Sequence, residues 1–333
     1  MMKSDDRIPE IALDWLQAGR KVALATVIRT WGSSPRPVGA QLVIDGDMAF
    51  EGSVSGGCVE SAVIFEAADA MADGTCRRLS FGVSDETAFE VGLACGGEIE
   101  VLVEPLDLGQ GPTRPELEAL VAARAAREPV VWEVDLTNWT RRLLPRDTAD
   151  GELEERFRTD RSALDGDVFR AVHNPPLRLV VVGAVHIAQP LVSMARMAGY
   201  DVVLSDPRDS FAAPARFPGE TFLDGWPDEA LEAYGLDQRT AVVTLSHDPK
   251  IDTPALEKAL ASEAFYIGAL GSTRTHAKRV AALTEAGLPA DAIARIDGPV
   301  GLDIGAVSPA EIAISIMAEM TERLRRPDTR KGG

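Results

Sequence analysis

A cysteine in a glycine-rich segment is the residue of this chain whose context best suits chemistry. Cys58 follows Ser55, Gly56 and Gly57 and precedes an apolar run, Val59–Ala72, with the pattern of a helix. Glycines allow backbone N–H groups to turn toward one point, and a helix start adds partial positive charge there. Such a site binds anions and favours a thiolate. The alternative is that Cys58 is a small apolar residue in a tightly packed turn.

Three further residues of the first half of the chain are candidate functional residues. Cys95, in Ala94-Cys95-Gly96-Gly97, is a second thiol in a glycine-rich context. Arg36 lies between two prolines, which favour an extended loop, and it either binds a phosphate or belongs to a structural turn. Glu60 either influences the protonation of Cys58 or, as an acid in the first turn of a helix, interacts with the helix dipole.

Composition limits the classes of partner and site. The 333 residues predict two domains, and 45% hydrophobic content predicts real cores. With 52 acidic and 34 basic residues the net charge is −18, which argues against nucleic acid and against anionic membranes as partners. Any phosphate-bearing ligand must therefore be held by local amides or arginines.

Cysteine usage and the apolar segments indicate a compartment. Three cysteines without a CxxC spacing argue against a disulfide framework and against a thiolate zinc site, so no metal site is expected. The first ten residues lack an apolar signal region, and no apolar run is long enough to span a membrane. We expect a cytoplasmic protein.

The first half of the chain mixes strand-like and helix-like runs without strict alternation, which predicts an α+β domain. The expected strands are Val22–Ile28, Ala40–Ile44, Met48–Val54, Arg77–Phe81, Glu98–Glu104 and Val130–Leu136. The expected helices are Ile8–Ala18, Val59–Ala72 and Glu116–Arg127. Residues 137–174 are polar, and we expect a hairpin extension followed by a linker. The domain boundary is expected at His173-Asn174-Pro175-Pro176, with His173 as a linker residue rather than a ligand.

From Leu177 onward, continuous apolar strands alternate with helices, which predicts a Rossmann-like, doubly wound parallel sheet. The expected strands are Leu179–Val182, Val202–Leu204, Ala241–Leu245 and Ala264–Ile267. The expected helices are Ile187–Ala198, Asp228–Tyr234, Pro254–Ala261, Arg274–Glu285 and a last one that starts at Ser308-Pro309 with Glu311 in a capping box.

The first strand–helix turn of this half resembles a dinucleotide fingerprint. Gly183, Ala184, His186 and Ile187 occupy the turn, where helix amides point at a ligand, and Asp206 follows Gly183 by 23 positions, a spacing typical of a carboxylate that binds a ribose. Val185, however, occupies the place of the second glycine, so we expect weak NAD binding. We also expect Gly183, His186 and Asp206 to line one pocket.

Other candidates follow strand ends on the same edge. His186 either donates to a phosphate or caps the helix, and Arg208 either binds a phosphate or is solvated. His247 is either a ligand at the carboxyl edge or part of a turn. Gly268 and Gly271 are expected to complete the floor of the crevice.

The ordered segments TWGSSPRPVGAQLVI, SGGCVES, ACGG, VVVGAVHIAQPLVSMARMAGYDVVLSDPR, FYIGALGS and GPVGLDIGA resemble the XdhC/CoxI family of accessory proteins for xanthine dehydrogenase and related molybdenum hydroxylases. The resemblance implies a chaperone that binds the molybdenum cofactor (molybdopterin), protects it during sulfuration and delivers it to an apo molybdenum hydroxylase. It implies that Cys58, and Cys95 as a second thiol, handle cofactor or sulfur, with a cysteine desulfurase as a further partner.

On this resemblance, residues 1–174 form the cofactor-handling domain, 175–327 a Rossmann-like XdhC domain and 328–333 a disordered tail. We expect an accessory protein rather than a self-sufficient enzyme, and a homodimer. The alternative is an NAD(P)-dependent oxidoreductase that uses the Rossmann-like domain, which also leaves a nucleotide or NAD(P) as a second cofactor. A third possibility, a pure interaction scaffold, fits poorly with so many glycine-rich loops at strand ends.

Overall fold

The computed structural model describes residues 7–32, 34, 36–82, 97–213 and 215–326. The chain divides into two compact units, whose boundary in the sequence lies between Pro175 and Pro176. Within the described ranges, the helices are all too short or too polar to cross a lipid bilayer.

The described residues of the first unit form two antiparallel sheets with helices packed on them. The first sheet has the order β3-β2-β1-β5-β4, and the second has the order β7-β6-β9-β8. The strands are β1 (Val22–Trp31), β2 (Gln41–Asp45), β3 (Phe50–Gly52), β4 (Arg77–Phe81), β5 (Glu98–Pro105), β6 (Val130–Asp135), β7 (Arg141–Pro145), β8 (Ala163–Asp165) and β9 (Val168–His173). The helices are α1 (Ile8–Gln17), α2 (Glu60–Asp73), α3 (Arg114–Ala125) and α4 (Gly151–Thr159).

The central strand β1 explains why both faces of the first sheet are covered. Seven consecutive residues from Val22 to Ile28 are buried, although side chains alternate between faces. Ala23, Ala25 and Val27 belong to the core under α2. Leu24 and Ile28 belong to a second core with α1, α3 and the second sheet. A continuous apolar run in an antiparallel strand thus places that strand between two layers.

Residues 137–174 require a correction. They form β7, α4, β8 and β9, and β9 pairs with β6 along Val168–His173. The segment does contain a hairpin, since β8 and β9 pair antiparallel, but the residues after β7 belong to a helix and a sheet and do not form the expected linker. Its polar pattern arises because only one face of the sheet is apolar, as the alternating burial of β9 shows. His173 ends that strand with 8% of its surface exposed, and burial, followed by the nearby Arg124, lowers the pKa of its imidazole to about 3.

The second unit is a six-stranded, all-parallel sheet with helices on both faces. Its order is β12-β11-β10-β13-β14-β15, so the sequence reverses direction at β10. The strands are β10 (Arg178–Val182), β11 (Asp201–Ser205), β12 (Thr221–Phe222), β13 (Thr240–Thr244), β14 (Tyr266–Ala269) and β15 (Ile296–Asp297). The helices are α5 (Ala188–Met197), α6 (Pro227–Tyr234), α7 (Pro249–Leu260), α8 (Thr273–Glu285), α9 (Ala290–Ile293) and α10 (Pro309–Arg325).

This topology confirms the expected α/β class, with an α+β unit followed by a Rossmann-like one. Leu179 and Val181 of β10 pack toward α5 and α10, and Val180 and Val182 pack toward α7. The expected capping box of α10 is confirmed, with Ser308 and Glu311 bonded to each other's backbone.

Candidate functional site

Cys58 lies at the exposed end of a short segment, residues 53–59, that we call the cysteine loop. The loop connects the outer strand β3 to α2, which begins at Glu60. Gly56 and Gly57 have φ values of 74° and 113°, a left-handed backbone that glycine adopts without strain. The two glycines therefore allow the chain to reverse immediately before the helix and leave the thiol at the surface.

The side chain of Glu60 holds this loop together. Its Oε1 accepts hydrogen bonds from Ser53 Oγ at 2.7 Å, Ser55 N at 2.9 Å and Val54 N at 3.2 Å. Its Oε2 accepts from Gly57 N at 2.9 Å and from Ser55 Oγ. The carboxylate is thus the centre of five hydrogen bonds from one loop.

The loop amides are consequently turned inward. Of the six amides from Val54 to Val59, three donate to Glu60, while Gly56 N donates to Ser53 Oγ at 2.8 Å and Val59 N to Ser55 Oγ at 2.9 Å. The expectation that Gly56 and Gly57 present amides to an external anion is therefore wrong in its geometry, because a carboxylate of the chain already takes that place. Ser55 is likewise 1% exposed and engaged on both sides of its hydroxyl.

The hydrogen bonds also set the charge of Glu60. Burial alone would raise the pKa of this carboxyl group, but the bonds from Ser55 and Ser53 outweigh it and lower the pKa to about 2. The carboxylate is therefore ionised at neutral pH. We assign Glu60 to the construction of the loop, since its oxygens face the loop's own donors.

The environment of Cys76 is the opposite of that of Cys58. Its thiol is buried, and its Sγ lies 3.5 Å from Arg141 Nη2. Arg141 in turn forms an ion pair with Glu104, and both side chains are 3% exposed. Burial and the nearby Glu104 raise the pKa of the Cys76 thiol to about 12. Cys76 is thus an inert core thiol.

Cys95 and Arg36 are the two remaining candidates of the first unit. Cys95 lies outside the described residues. Arg36 is half-buried, and its carbonyl oxygen accepts a hydrogen bond from Ser34 Oγ at 2.8 Å. This bond is that of a compact local turn, and the roles of both residues stay predictions.

In the second unit, the segment after β10, residues 183–186, forms a sharp turn that we call the glycine turn. Gly183 has φ 100°, and a Cβ placed on it would lie 2.6 Å from Ser246 N, so only glycine fits between β10 and the end of β13. Val185 N donates to Gly183 O at 2.9 Å, and α5 begins three residues later, at Ala188. The strand–turn–helix arrangement of the expected fingerprint is present.

Asp206 is placed beside this turn as expected, but its carboxylate is already engaged. Its Oδ2 accepts from Ala184 N at 2.8 Å and from Arg208 Nη2 at 2.8 Å, and its Oδ1 accepts from Arg208 Nε at 2.8 Å. Burial would raise the pKa of Asp206, yet the bonds from Arg208 and Ala184 hold it below its usual value. A ribose hydroxyl would have to displace Arg208 to reach this carboxylate.

The segment after Asp206 covers the turn further. The guanidinium of Arg208 lies 3.8 Å from the ring centre of Phe211, and that of Arg216 lies 5.5 Å from the same ring. Arg216 Nη1 donates to Ala184 O at 2.8 Å. Sequence reasoning missed Phe211 and Arg216, because neither belongs to a glycine motif. Both peptide groups of Ala184 are therefore satisfied within the protein.

His186, Ile187 and His247 are further candidates of this unit. His186 and Ile187 lie at the start of α5, with His186 exposed. His247 is exposed and has φ 61°, and the hydrogen bond from Asp248 N to Ser246 Oγ at 3.0 Å makes the segment a tight turn. The structure brings Gly183 and Asp206 together, and places His186 at the surface of the same turn.

Of the two glycines expected to form the floor of a crevice, Gly268 requires a correction. Gly268 lies inside β14 and is buried; a Cβ on it would lie 2.5 Å from Val300 and 2.8 Å from the ring of Tyr266. It permits close packing and does not form a crevice floor. Gly271 does lie in the turn between β14 and α8, with φ 149°.

Among the described residues, no group of three or more histidine, cysteine, aspartate or glutamate side chains has the geometry of a metal site. A further polar cluster at the carboxyl edge, formed by Ser246, Asp252, His276 and Arg279, was not expected from the sequence. These residues come from one strand end and two helices that are distant in the sequence, so no local motif contains them.

Comparison with known proteins gives consistent matches along the chain. Residues 15–82 match the model of the XdhC and CoxI family, and residues 179–320 match the model of the XdhC Rossmann domain. The two matches contain, respectively, the cysteine loop and the glycine turn.

Individual relatives extend these matches over nearly the full length. The chain is 32% identical over 313 residues to Molybdenum cofactor insertion chaperone PaoD of Escherichia coli (strain K12), covering 94% of this chain and 86% of that protein. It is 26% identical to a Bacillus subtilis (strain 168) protein named as a probable component of xanthine dehydrogenase, covering 93% and 96%. A crystal structure described as a xanthine dehydrogenase from Bacillus halodurans shares 25% identity and a TM-score of 0.72, covering 99% and 98%.

Proposed function

The chain belongs to the XdhC and CoxI family, and we propose that it binds the molybdenum cofactor, protects it while its terminal sulfur is installed, and delivers it to an apo molybdenum hydroxylase of the xanthine dehydrogenase type. The observation that carries this proposal is the 32% identity to a molybdenum cofactor insertion chaperone over 94% of the chain. Relatives named for xanthine dehydrogenase support the class of client enzyme.

The cysteine loop fits this role in one specific way. A thiolate is a metal ligand and a carrier of sulfur, and Cys58 presents its thiol to solvent, whereas Cys76 is buried. The five bonds to Glu60 fix the loop before any cofactor arrives, so binding does not have to order it. The loop amides are not free to hold an anionic group of the cofactor, so Cys58 contributes a thiol and not an anion cradle.

We propose three partners for this chain. The apo hydroxylase receives the cofactor, a cysteine desulfurase supplies the sulfur, and a second copy of the chain forms a homodimer. The exposed position of Cys58 is what a transfer between proteins requires, because a thiol that passes a group to another macromolecule must be reached from outside.

The alternative, an NAD(P)-dependent oxidoreductase, is less well supported by the geometry. The sheet order with its reversal at β10 is that of dinucleotide-binding folds. However, the carboxylate expected on the ribose is bonded to Arg208, and Val185 occupies the position of the second glycine. We therefore propose that the second unit has a role other than hydride transfer.

The direct test is to purify the protein from a host that makes molybdenum cofactor and from an isogenic host that cannot. Mass spectrometry and visible absorbance of the released ligand should detect the cofactor only in the first preparation. The loaded protein should then activate an apo hydroxylase in a mixture that contains no other cofactor source.

Two results would contradict the proposal. One is a preparation without bound cofactor that also fails to activate the hydroxylase when free cofactor is supplied. The other is steady hydride transfer to NAD by the isolated chain at more than trace rate, which would favour the oxidoreductase.

A further inference from the structure

At the carboxyl edge of the parallel sheet, the segment after β13 and the helices α7 and α8 bring four polar side chains together beside the glycine turn. Asp252, in the first turn of α7, is 3% exposed and accepts a hydrogen bond from Ser246 Oγ at 2.6 Å. Arg279 of α8 lies 3.9 Å from Asp252 Oδ2 through its Nη2, which also donates to Leu270 O at 2.9 Å. His276 precedes Arg279 by three positions and so lies on the same face of α8.

Two nitrogen atoms of this cluster are buried without a hydrogen-bond partner in the described part of the protein. They are Arg279 Nη1, on a side chain that is 8% exposed, and His276 Nδ1. The imidazole lies directly against Gly298, where a Cβ would come within 2.2 Å of Nδ1. Leaving a buried donor without a bond is unfavourable, so groups of this kind are normally completed by a ligand or an ordered water.

The donor groups of the cluster indicate the class of ligand that it would bind. Arg279 offers donors only, and one tautomer of His276 offers a second donor from Nδ1. Burial lowers the pKa of Arg279 and, together with the charge of Arg279, that of His276, which agrees with their unpartnered nitrogen atoms. Asp252 compensates Arg279 in part, at a distance beyond that of a hydrogen bond. An oxyanion between the two side chains would satisfy both.

The location agrees with this selection. Ligands of open parallel sheets bind outside the carboxyl ends of the strands, and β13, β14 and β15 end here. Thr244, the last residue of β13, is fully buried and its Oγ1 also has no partner in the described residues. It is in register with Val182, whose side chain packs toward α7, so its hydroxyl lies on the same face of the sheet as the cluster.

We propose that Arg279 and His276 form a binding site for the phosphate group of a small molecule at the carboxyl edge of the second unit. The site borders the glycine turn, since Ser246 packs against Gly183, but it uses other residues, because Asp206 and Arg216 already satisfy the peptide groups of Ala184. The proposal does not depend on cofactor delivery, and it gives the Rossmann-like unit a ligand class of its own. A planar guanidinium that binds two phosphate oxygens is the strongest element of such a site.

The test uses the full chain and calorimetric titration with inorganic phosphate, pyrophosphate and a nucleoside monophosphate. Acetate is the control for binding of a carboxylate, and sodium chloride is the control for an effect of ionic strength. The wild-type protein should bind at least one phosphate compound saturably, and acetate and chloride should give no comparable heat. Arg279→Gln should weaken that binding at least ~10-fold, the equivalent of about 1.4 kcal/mol.

Arg274→Gln is the matched control, because Arg274 is an exposed arginine on the same helix. Its affinity for phosphate should equal that of the wild type. His276→Gln, at a half-buried position, is the second variant in case Arg279→Gln does not fold, and it should weaken binding several-fold.

Three outcomes would overturn the assignment. They are no saturable phosphate binding by the wild type up to ~10 mM, a concentration that corresponds to negligible affinity; equal responses to phosphate and chloride or acetate; and equal phosphate affinity in the His276→Gln, Arg279→Gln and Arg274→Gln proteins.

Discussion

In both the cysteine loop and the glycine turn, backbone amides before a helix are hydrogen-bonded to a carboxylate of the chain, but the other partners of that carboxylate differ. Each is a glycine-containing reversal before a helix, and in each a carboxylate of the chain binds amides that the sequence offers to a ligand. In the cysteine loop the carboxylate is Glu60, and its five bonds all come from neutral donors. In the glycine turn it is Asp206, which binds the amides of Ala184 and Arg208 and a guanidinium that is 30% exposed.

The difference indicates which of the two can change state. Breaking the Glu60 arrangement would leave a buried carboxylate and several donors unsatisfied at once, so the amides of Val54, Ser55 and Gly57 stay bonded to Glu60. Arg208 can leave Asp206 more readily, since its guanidinium is 30% exposed and can be solvated, although the side chain of Asp206 is buried. The first region is thus a fixed support for a thiol, and the second keeps a cation that a ligand could recruit.

The largest expected effect is that of Glu60→Gln. The side chain keeps its shape but replaces one accepting oxygen with an NH2 group that faces the donors Ser55 Oγ and Gly57 N. We expect a loss of about 3 kcal/mol in the free energy of unfolding, measured by urea denaturation. Asp69→Ala, at an exposed position of the same helix, should change it by less than about 0.5 kcal/mol. A loss below that of the control would show that the loop does not depend on this carboxylate.

Acid should reveal the same contribution in the wild-type protein. The pKa of Glu60 is about 2 in the folded state and 4.5 without the fold. Its folded-state value is depressed, so its stabilisation is complete above pH 4.5 and is lost as the pH falls through about 2. The difference corresponds to about 3 kcal/mol. Urea denaturation at a series of pH values should show a shallower loss in Glu60→Gln than in the wild type across this window.

A smaller effect is expected for Asp206→Asn, about 1–2 kcal/mol, because Arg208 can be solvated once it is released. The ion pair adds a feature that the cysteine loop lacks, namely sensitivity to salt. At about 1 M sodium chloride the cost of Asp206→Asn should fall, while that of Glu60→Gln should stay the same. Arg208→Gln should reproduce the salt-sensitive part. Equal salt dependence at both carboxylates would remove the distinction between the two regions.

The next comparison concerns the two described cysteines. Cys58→Ser should change stability by less than about 0.5 kcal/mol, since the thiol is exposed. We expect it to lower cofactor retention about tenfold, measured as bound molybdenum per chain after gel filtration. Cys76→Ser should leave retention unchanged and shift stability instead, because it places a hydroxyl beside the buried Arg141–Glu104 pair. Retention equal to the wild type in Cys58→Ser would remove the proposed role of this thiol.

The smallest effect is expected for Val185→Gly on NAD affinity. With an otherwise ordinary fingerprint, this change should tighten binding by admitting the pyrophosphate. Here the peptide groups of Ala184 are bonded to Asp206 and Arg216, so restoring the glycine opens no site. Calorimetry should show weak NAD binding, ~0.1 mM or weaker, in both proteins, with a difference below about threefold. Tight binding by either one would show that Asp206 and Arg216 release the turn readily.

Sequence patterns locate most of the helices and strands because those patterns are local. The apolar run of Val22–Ile28, the Asp73-Gly74 end of α2 and the capping box at Ser308 each depend on a few neighbouring residues. Residues 137–174 do not show their whole sheet in the sequence, since β9 pairs with β6 across a long sequence distance, and β7 and β9 are only half apolar. The short strands β12 and β15 likewise have two residues each and no pattern of their own.

The sites are less completely predictable, for a related reason. Composition and spacing identify Cys58 and Gly183, which do lie in sharp turns before helices, and Asp206, whose carboxylate lies beside the second of these turns. They cannot show which acceptor the turn amides bind, because Glu60 and Asp206 of the chain take the place of an external anion, and Arg208 competes with a ligand for Asp206. The cluster of Asp252 and Arg279 depends on the packing of α7 against α8, which no sequence motif encodes.

The carboxylate of Glu60 also determines how the cysteine loop exchanges its amide protons. Glu60 belongs to the first turn of α2, so opening the loop means breaking its bonds to a residue of the helix. We expect the amides of Val54, Ser55 and Gly57 to exchange with deuterium as slowly as those of a buried helix, although Gly57 and Cys58 are at the surface. Cys58 would then be a surface group whose backbone fluctuates only when the adjoining core opens.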